Sequence, residues 1–221
     1  MKIGASTLAG IENDLEETLE FIENLGLDYA ELVHQFPCEN IDAEVLENYN
    51  LKYSIHAPFI DVNIASVQDK SRINSVDQIK SSIDLANKID AECVVVHPGL
   101  TSFLPNKYFK NEVTNFANES MIELGRYAED LGVLATFENM PSFNTMIYDN
   151  MEELNEFLVS NPKATKIFDE KVLATAKVER KDLSKTSKKY QFDLIYLDIE
   201  SDLFDKETVL EKLFSPTKYY N

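Results

Sequence analysis

The chain carries three histidines, His34, His56 and His97, and each follows a short run of β-forming residues. His56 closes Lys52-Tyr53-Ser54-Ile55, His97 closes Cys93-Val94-Val95-Val96, and a carboxylate, Glu138, closes Leu134-Ala135-Thr136-Phe137. Glu31 and His34 lie at the end of the run 30–34, Asp169 ends 165–169, and Asp198 and Glu200 end 194–200. Neutral imidazole and carboxylate are the usual ligands of zinc and its neighbours. One histidine at the end of a strand is more often structural than metal-bound, but ionisable groups repeated at equivalent ends point to a common site. A cation held by two imidazoles and a carboxylate, with a position left open, lowers the pKa of bound water to about 7 or polarises a carbonyl. Glu138 is placed to act as ligand or as base. Glu31, Asp169 and Glu200 are the further acid/base candidates at the same mouth.

For those groups to meet, the runs must be parallel strands with their C-terminal ends side by side. The pattern supports this. Runs at 2–6, 30–34, 52–56, 93–97, 134–138, 165–169 and 194–200 alternate with amphipathic stretches, the signature of repeated βα units. Leu15, Leu19, Ile22 and Leu25 form one helical stripe, ended by Gly26. Ile79, Ile83, Leu85, Ala86 and Ile89 form a second, and Met121, Leu124, Ala128 and Leu131 a third, closed by Gly132. These stripes are core packing. The strands are apolar almost throughout, as expected where helices cover one face and a barrel interior the other. The expected fold is α/β, a TIM-type (β/α) barrel of about seven parallel strands in a single domain spanning 1–221. A complete eight-stranded barrel typically needs about 250 residues, and the shortage lies in the last third, where 170–191 reads as a charged helix.

Composition narrows the partners. Hydrophobic residues make up 44% of the 221, enough for a core, and no apolar run is long enough to cross a bilayer. The chain moves from Met1-Lys2-Ile3-Gly4 straight into a strand, so no signal peptide is expected. Cys38 and Cys93 make no disulfide framework, and reduced thiols in the cytoplasm are the expectation. A net charge of −18 repels a phosphate backbone, so duplex DNA is an unexpected partner and a small molecule an expected one. The charge is uneven. Nine of the bases lie between Lys163 and Lys189, against Asp169, Glu170, Glu179 and Asp182. A solvated helix face accounts for that cluster more readily than a phosphate-binding patch.

The local strings carry a resemblance. Ser54-Ile55-His56-Ala57-Pro58-Phe59 with Asn63-Ile64-Ala65-Ser66 resembles the third-strand motif of the endonuclease-IV-type apurinic endonucleases, members of the xylose-isomerase-like barrel superfamily. Arg72-Ile73-Asn74-Ser75, a long helix and Val94-Val95-Val96-His97-Pro98-Gly99 resemble the fourth-strand region. Phe137-Glu138-Asn139-Met140-Pro141 resembles the fifth strand, and Gly26-Leu27-Asp28-Tyr29-Ala30-Glu31-Leu32 the second. The resemblance covers roughly residues 1 to 160. It implies that His56 and His97 bind a first divalent metal, zinc before manganese or magnesium. Glu138 then bridges to a second metal, which Asp169 and Glu200 also hold. It implies no more than a partial second site, because no histidine follows His97, and no ligands for a third metal are visible. If 192–200 is the seventh strand and not the eighth, Glu200 loses its assignment. His34, Asn139 and Lys107 are the expected substrate contacts, although lysines such as Lys107 and Lys110 are ordinarily just solvated.

Three activities fit these readings. One is isomerisation or epimerisation of a sugar or sugar phosphate. Another is hydrolysis of a phosphodiester as in the apurinic endonucleases. The last is binding of metal or ligand without turnover. An incomplete barrel leaves strand edges exposed, so the 170–190 helix or a second copy of the chain is expected to cover the gap.

Overall fold

The computed structural model describes residues 4–10, 13–101, 109–140, 145–148 and 151–161. It contains five parallel strands in sequential order: β1 (Gly4–Ser6), β2 (Tyr29–Val33), β3 (Lys52–His56), β4 (Val94–Val96) and β5 (Ala135–Phe137). Between them run α1 (Leu15–Asn24), the short α2 (Ala43–Leu46), α3 (Asp69–Ile89) and α4 (Lys110–Leu131), and α5 (Met151–Ser160) follows β5. Each expected strand up to residue 138 is present within two residues of its expected limits. The runs 165–169 and 194–200 and the charged segment 170–191 lie outside the described residues.

Local chemistry sets the helix ends. Asp14 caps α1 by accepting the Glu16 N–H at 3.0 Å, and Asp42 caps α2 by accepting the Glu44 N–H at 3.0 Å. The α4 helix stops where Gly132 takes φ 71° and its N–H bonds back to the last turn.

Alternation along the strands divides the sheet into two faces. Ala30, Leu32, Ile55, Val94, Val96, Ala135 and Phe137 face the helices and join their apolar stripes in the core. Ile83, Met121 and Leu124 are fully buried there, each contributing about 2 kcal/mol of hydrophobic stabilisation. The opposite residues line the interior of the curved sheet. Ser6, Glu31 and Ser54 stand side by side in register across β1, β2 and β3, and the Ser6 hydroxyl donates to Glu31 Oε1 at 3.1 Å. One pleat higher, Val33, His56, Val95 and Thr136 form the next row. His97 and Glu138 follow β4 and β5 directly, at the C-terminal mouth. Neither Cys38 nor Cys93 is in a disulfide. No described helix is long and apolar enough to cross a membrane.

Candidate metal centre

Three of the expected ligands meet. His56, His97 and Glu138 offer one ligand atom each, and these atoms lie within 4.8 Å of one another. Glu138 Oε2 is 3.2 Å from His97 Nε2 and 3.8 Å from His56 Nε2. The two imidazoles pack edge to face, with ring centroids 4.8 Å apart. Their positions follow from the strands: β3, β4 and β5 are neighbours, and each delivers its side chain at its C-terminal end.

The donor set fits a cation. His56 Nδ1 lies 2.8 Å from the Ala57 carbonyl oxygen, which can only accept. That bond places one ring proton on Nδ1 and leaves Nε2, the atom turned toward Glu138, to carry a second proton or to bind a cation. Burial of Glu138 favours the neutral acid, but the two histidines, through hydrogen bonding and charge, outweigh it and hold the carboxyl down at about 2. His56 is nearly enclosed, and burial opposes its protonation. Its contact with Glu138, the charge of Glu31 and the Ala57 carbonyl prevail, and its pKa lies above 6.5. The cluster is therefore a negative carboxylate between two basic nitrogens, and a divalent cation can take the place of the protons.

Phe59 was quoted in the sequence motif without a role. Its ring lies 5.1 Å from that of His56 and 5.2 Å from that of His97. Asn63 is a second missed residue. Its side-chain oxygen accepts the N–H groups of Ala65 (3.0 Å) and Leu100 (2.9 Å), and its amide donates to the Leu100 carbonyl at 2.9 Å. The loops after β3 and β4 are thereby tied together. Gly99 makes the approach possible: its φ is 105°, and a Cβ there would lie 2.7 Å from Ala65 Cβ and from Asn63 Oδ1.

The other candidates divide. Glu31 is completely buried one pleat below His56 and is not at the mouth. His34 is not brought to the cluster. Val33 pairs with His56, so the next residue points to the helix face, where His34 Nδ1 lies 2.8 Å from Ser82 Oγ and Nε2 3.1 Å from the Glu39 carbonyl. Asn139 follows Glu138 and is half-buried. Lys110 opens α4 and is exposed. Lys107, Asp169 and Glu200 lie outside the described residues.

With this geometry in view, the comparison with known proteins is decisive for the family. The sequence model of the xylose isomerase-like TIM barrels matches residues 14–165. The chain belongs to that family. An uncharacterized protein of Methanocaldococcus jannaschii is 32% identical to it over 160 residues, which is 69% of this chain and 61% of the relative. Among solved structures, a D-tagatose 3-epimerase-like protein superposes with a TM-score of 0.64 at 30% identity, over 72% of this chain and 60% of that one. The D-psicose 3-epimerase of Clostridium cellulolyticum H10, solved with D-tagatose, gives 0.63 over 74% and 60%. At 17% identity that second likeness is one of fold. The chain thus spans about three fifths of the length of these relatives within the xylose isomerase-like barrels.

Proposed function

We propose that the protein is a divalent-metal-dependent enzyme that isomerises or epimerises a sugar or sugar phosphate, with His56, His97 and Glu138 as metal ligands. The observation that carries this reading is the convergence of two imidazole Nε2 atoms and one carboxylate oxygen within 4.8 Å at the mouth of a parallel sheet. The likeness to a D-tagatose 3-epimerase-like protein supports the substrate class. Zinc suits the two nitrogens and one oxygen, and manganese or magnesium are the alternatives.

A bound divalent cation would supply Lewis-acid polarisation of a sugar carbonyl or of a pair of neighbouring oxygens. The chain's own residues do the rest. His56 and His97 present their Nε2 lone pairs, and Glu138, held ionised, contributes charge. Glu138 serves as ligand and, with Asp169 and Glu200, is a candidate for removing and returning a carbon-bound proton. Glu31, enclosed beneath His56, acts by supporting positive charge above it and does not touch substrate.

The test is to load the full chain with Zn²⁺, Mn²⁺ or Mg²⁺ and incubate it with a panel of ketoses, aldoses and their phosphates in D₂O. Deuterium should enter the sugar next to the carbonyl, and His97→Ala should abolish its entry. Metal uptake without exchange on any sugar would leave binding without turnover. A second reading, phosphodiester hydrolysis, is favoured by the same two-histidine, one-carboxylate donor set, which is suited to activating water. Cleavage of an abasic-site duplex by the zinc form would establish it in place of the first.

A further inference from the structure

Gln35 lies two residues beyond the end of β2 and is buried, yet it belongs to none of the ligand positions. Its side-chain oxygen accepts two successive main-chain N–H groups from the loop after β3, Phe59 at 3.1 Å and Ile60 at 3.2 Å. Those bonds hold the backbone from which the Phe59 ring extends against both His56 and His97. The amide nitrogen of the same group is buried with no hydrogen-bond partner among the described residues. A buried orphan donor is destabilising, so it is the oxygen of this amide, and not the nitrogen, that accounts for a glutamine at this position.

We infer that Gln35 is a positioning residue of the His56–His97–Glu138 cluster, acting through Phe59. The amide fixes the loop, the loop fixes the aromatic ring, and the ring limits rotation of two imidazoles whose Nε2 atoms must converge. Outer partners that orient ligating histidines typically alter metal affinity by about 10–100-fold, and the same range is expected here. That consequence rests on the proposed metal site. The positioning itself does not.

The experiment reads the histidine ring protons by NMR in metal-free protein. Three histidines give three sets of signals, and the amide spectrum reports whether the fold is intact. Phe59→Ala removes the ring current and defines the unpositioned shifts of His56 and His97. Gln35→Leu should move both toward those values while the amide spectrum remains that of a folded protein. In the wild type, the Phe59 and Ile60 amides should be protected from hydrogen exchange. Unchanged His56 and His97 shifts in Gln35→Leu would overturn the inference. So would rapid exchange of those two amides, whether or not the variants fold. A protein that takes up no Co²⁺ or Zn²⁺ would overturn the metal reading and leave the ring-shift result standing.

Discussion

At 3.2 and 3.8 Å from two imidazole nitrogens, the Glu138 carboxylate is shared, and its contact favours the protonated form of His56. Without metal, His56 is held above 6.5, and desolvation holds the half-buried His34 on the other face below it. A histidine raised on folding contributes stability below 6.5 that is lost as pH rises through its folded pKa. One lowered on folding contributes above 6.5 and loses it as pH falls. An NMR titration of the metal-free protein should therefore show His56 titrating above His34. Zinc should abolish the His56 titration and leave His34 titrating. Glu138, lowered from 4.5 to about 2, adds stability above 4.5 that disappears as pH drops toward 2. His97→Ala and Glu138→Gln should each weaken Co²⁺ binding by about 100-fold or more, since even outer partners of ligands cost 10–100-fold, read from the cobalt absorption spectrum. The convergence of His56, His97 and Glu138 was legible in the sequence because each stands at the same place, at the C-terminal end of a parallel strand. His34 misled for a physical reason: in a strand of period two, one residue decides the face, and the pairing of Val33 with His56 is not written in β2 alone.

At the scale of elements, the loops after β3 and β4 act as a unit joined by Asn63. Gly99→Ala combines a left-handed backbone with a 2.7 Å overlap, and should cost about 1–3 kcal/mol by thermal or urea unfolding. Asn63→Ala strands the Leu100 N–H and carbonyl and should cost about 2 kcal/mol. Both should also lower metal affinity, because His97 begins the loop they hold. Gly132→Ala meets no atom within 4 Å and should cost only about 1 kcal/mol, through its φ of 71°. The α1, α3 and α4 helices were legible from their apolar stripes, and the ends of two of them from Gly26 and Gly132. The clamp was not, since it joins side chain to backbone across 37 residues, a separation that no local pattern encodes. Phe59 and Gln35 escaped for the same reason.

Over the whole molecule, the five described strands leave β1 and β5 with one neighbour each. A chain cut after residue 161 should expose both edges and self-associate, measured as a rise in light scattering against the full chain. The charge of −18 should keep the protein from a plain DNA duplex at physiological salt, checked by fluorescence anisotropy. The family and the parallel order were legible because the βα alternation repeats; the expected closure beyond residue 161 was inferred from length, which says nothing of pairing. The strand order has one more consequence. Because β3, β4 and β5 are consecutive in both chain and sheet, the three residues that meet among the described residues, His56, His97 and Glu138, all lie between 56 and 138. The cluster is a module of two and a half βα units. A growing chain has made all three before its last third is begun.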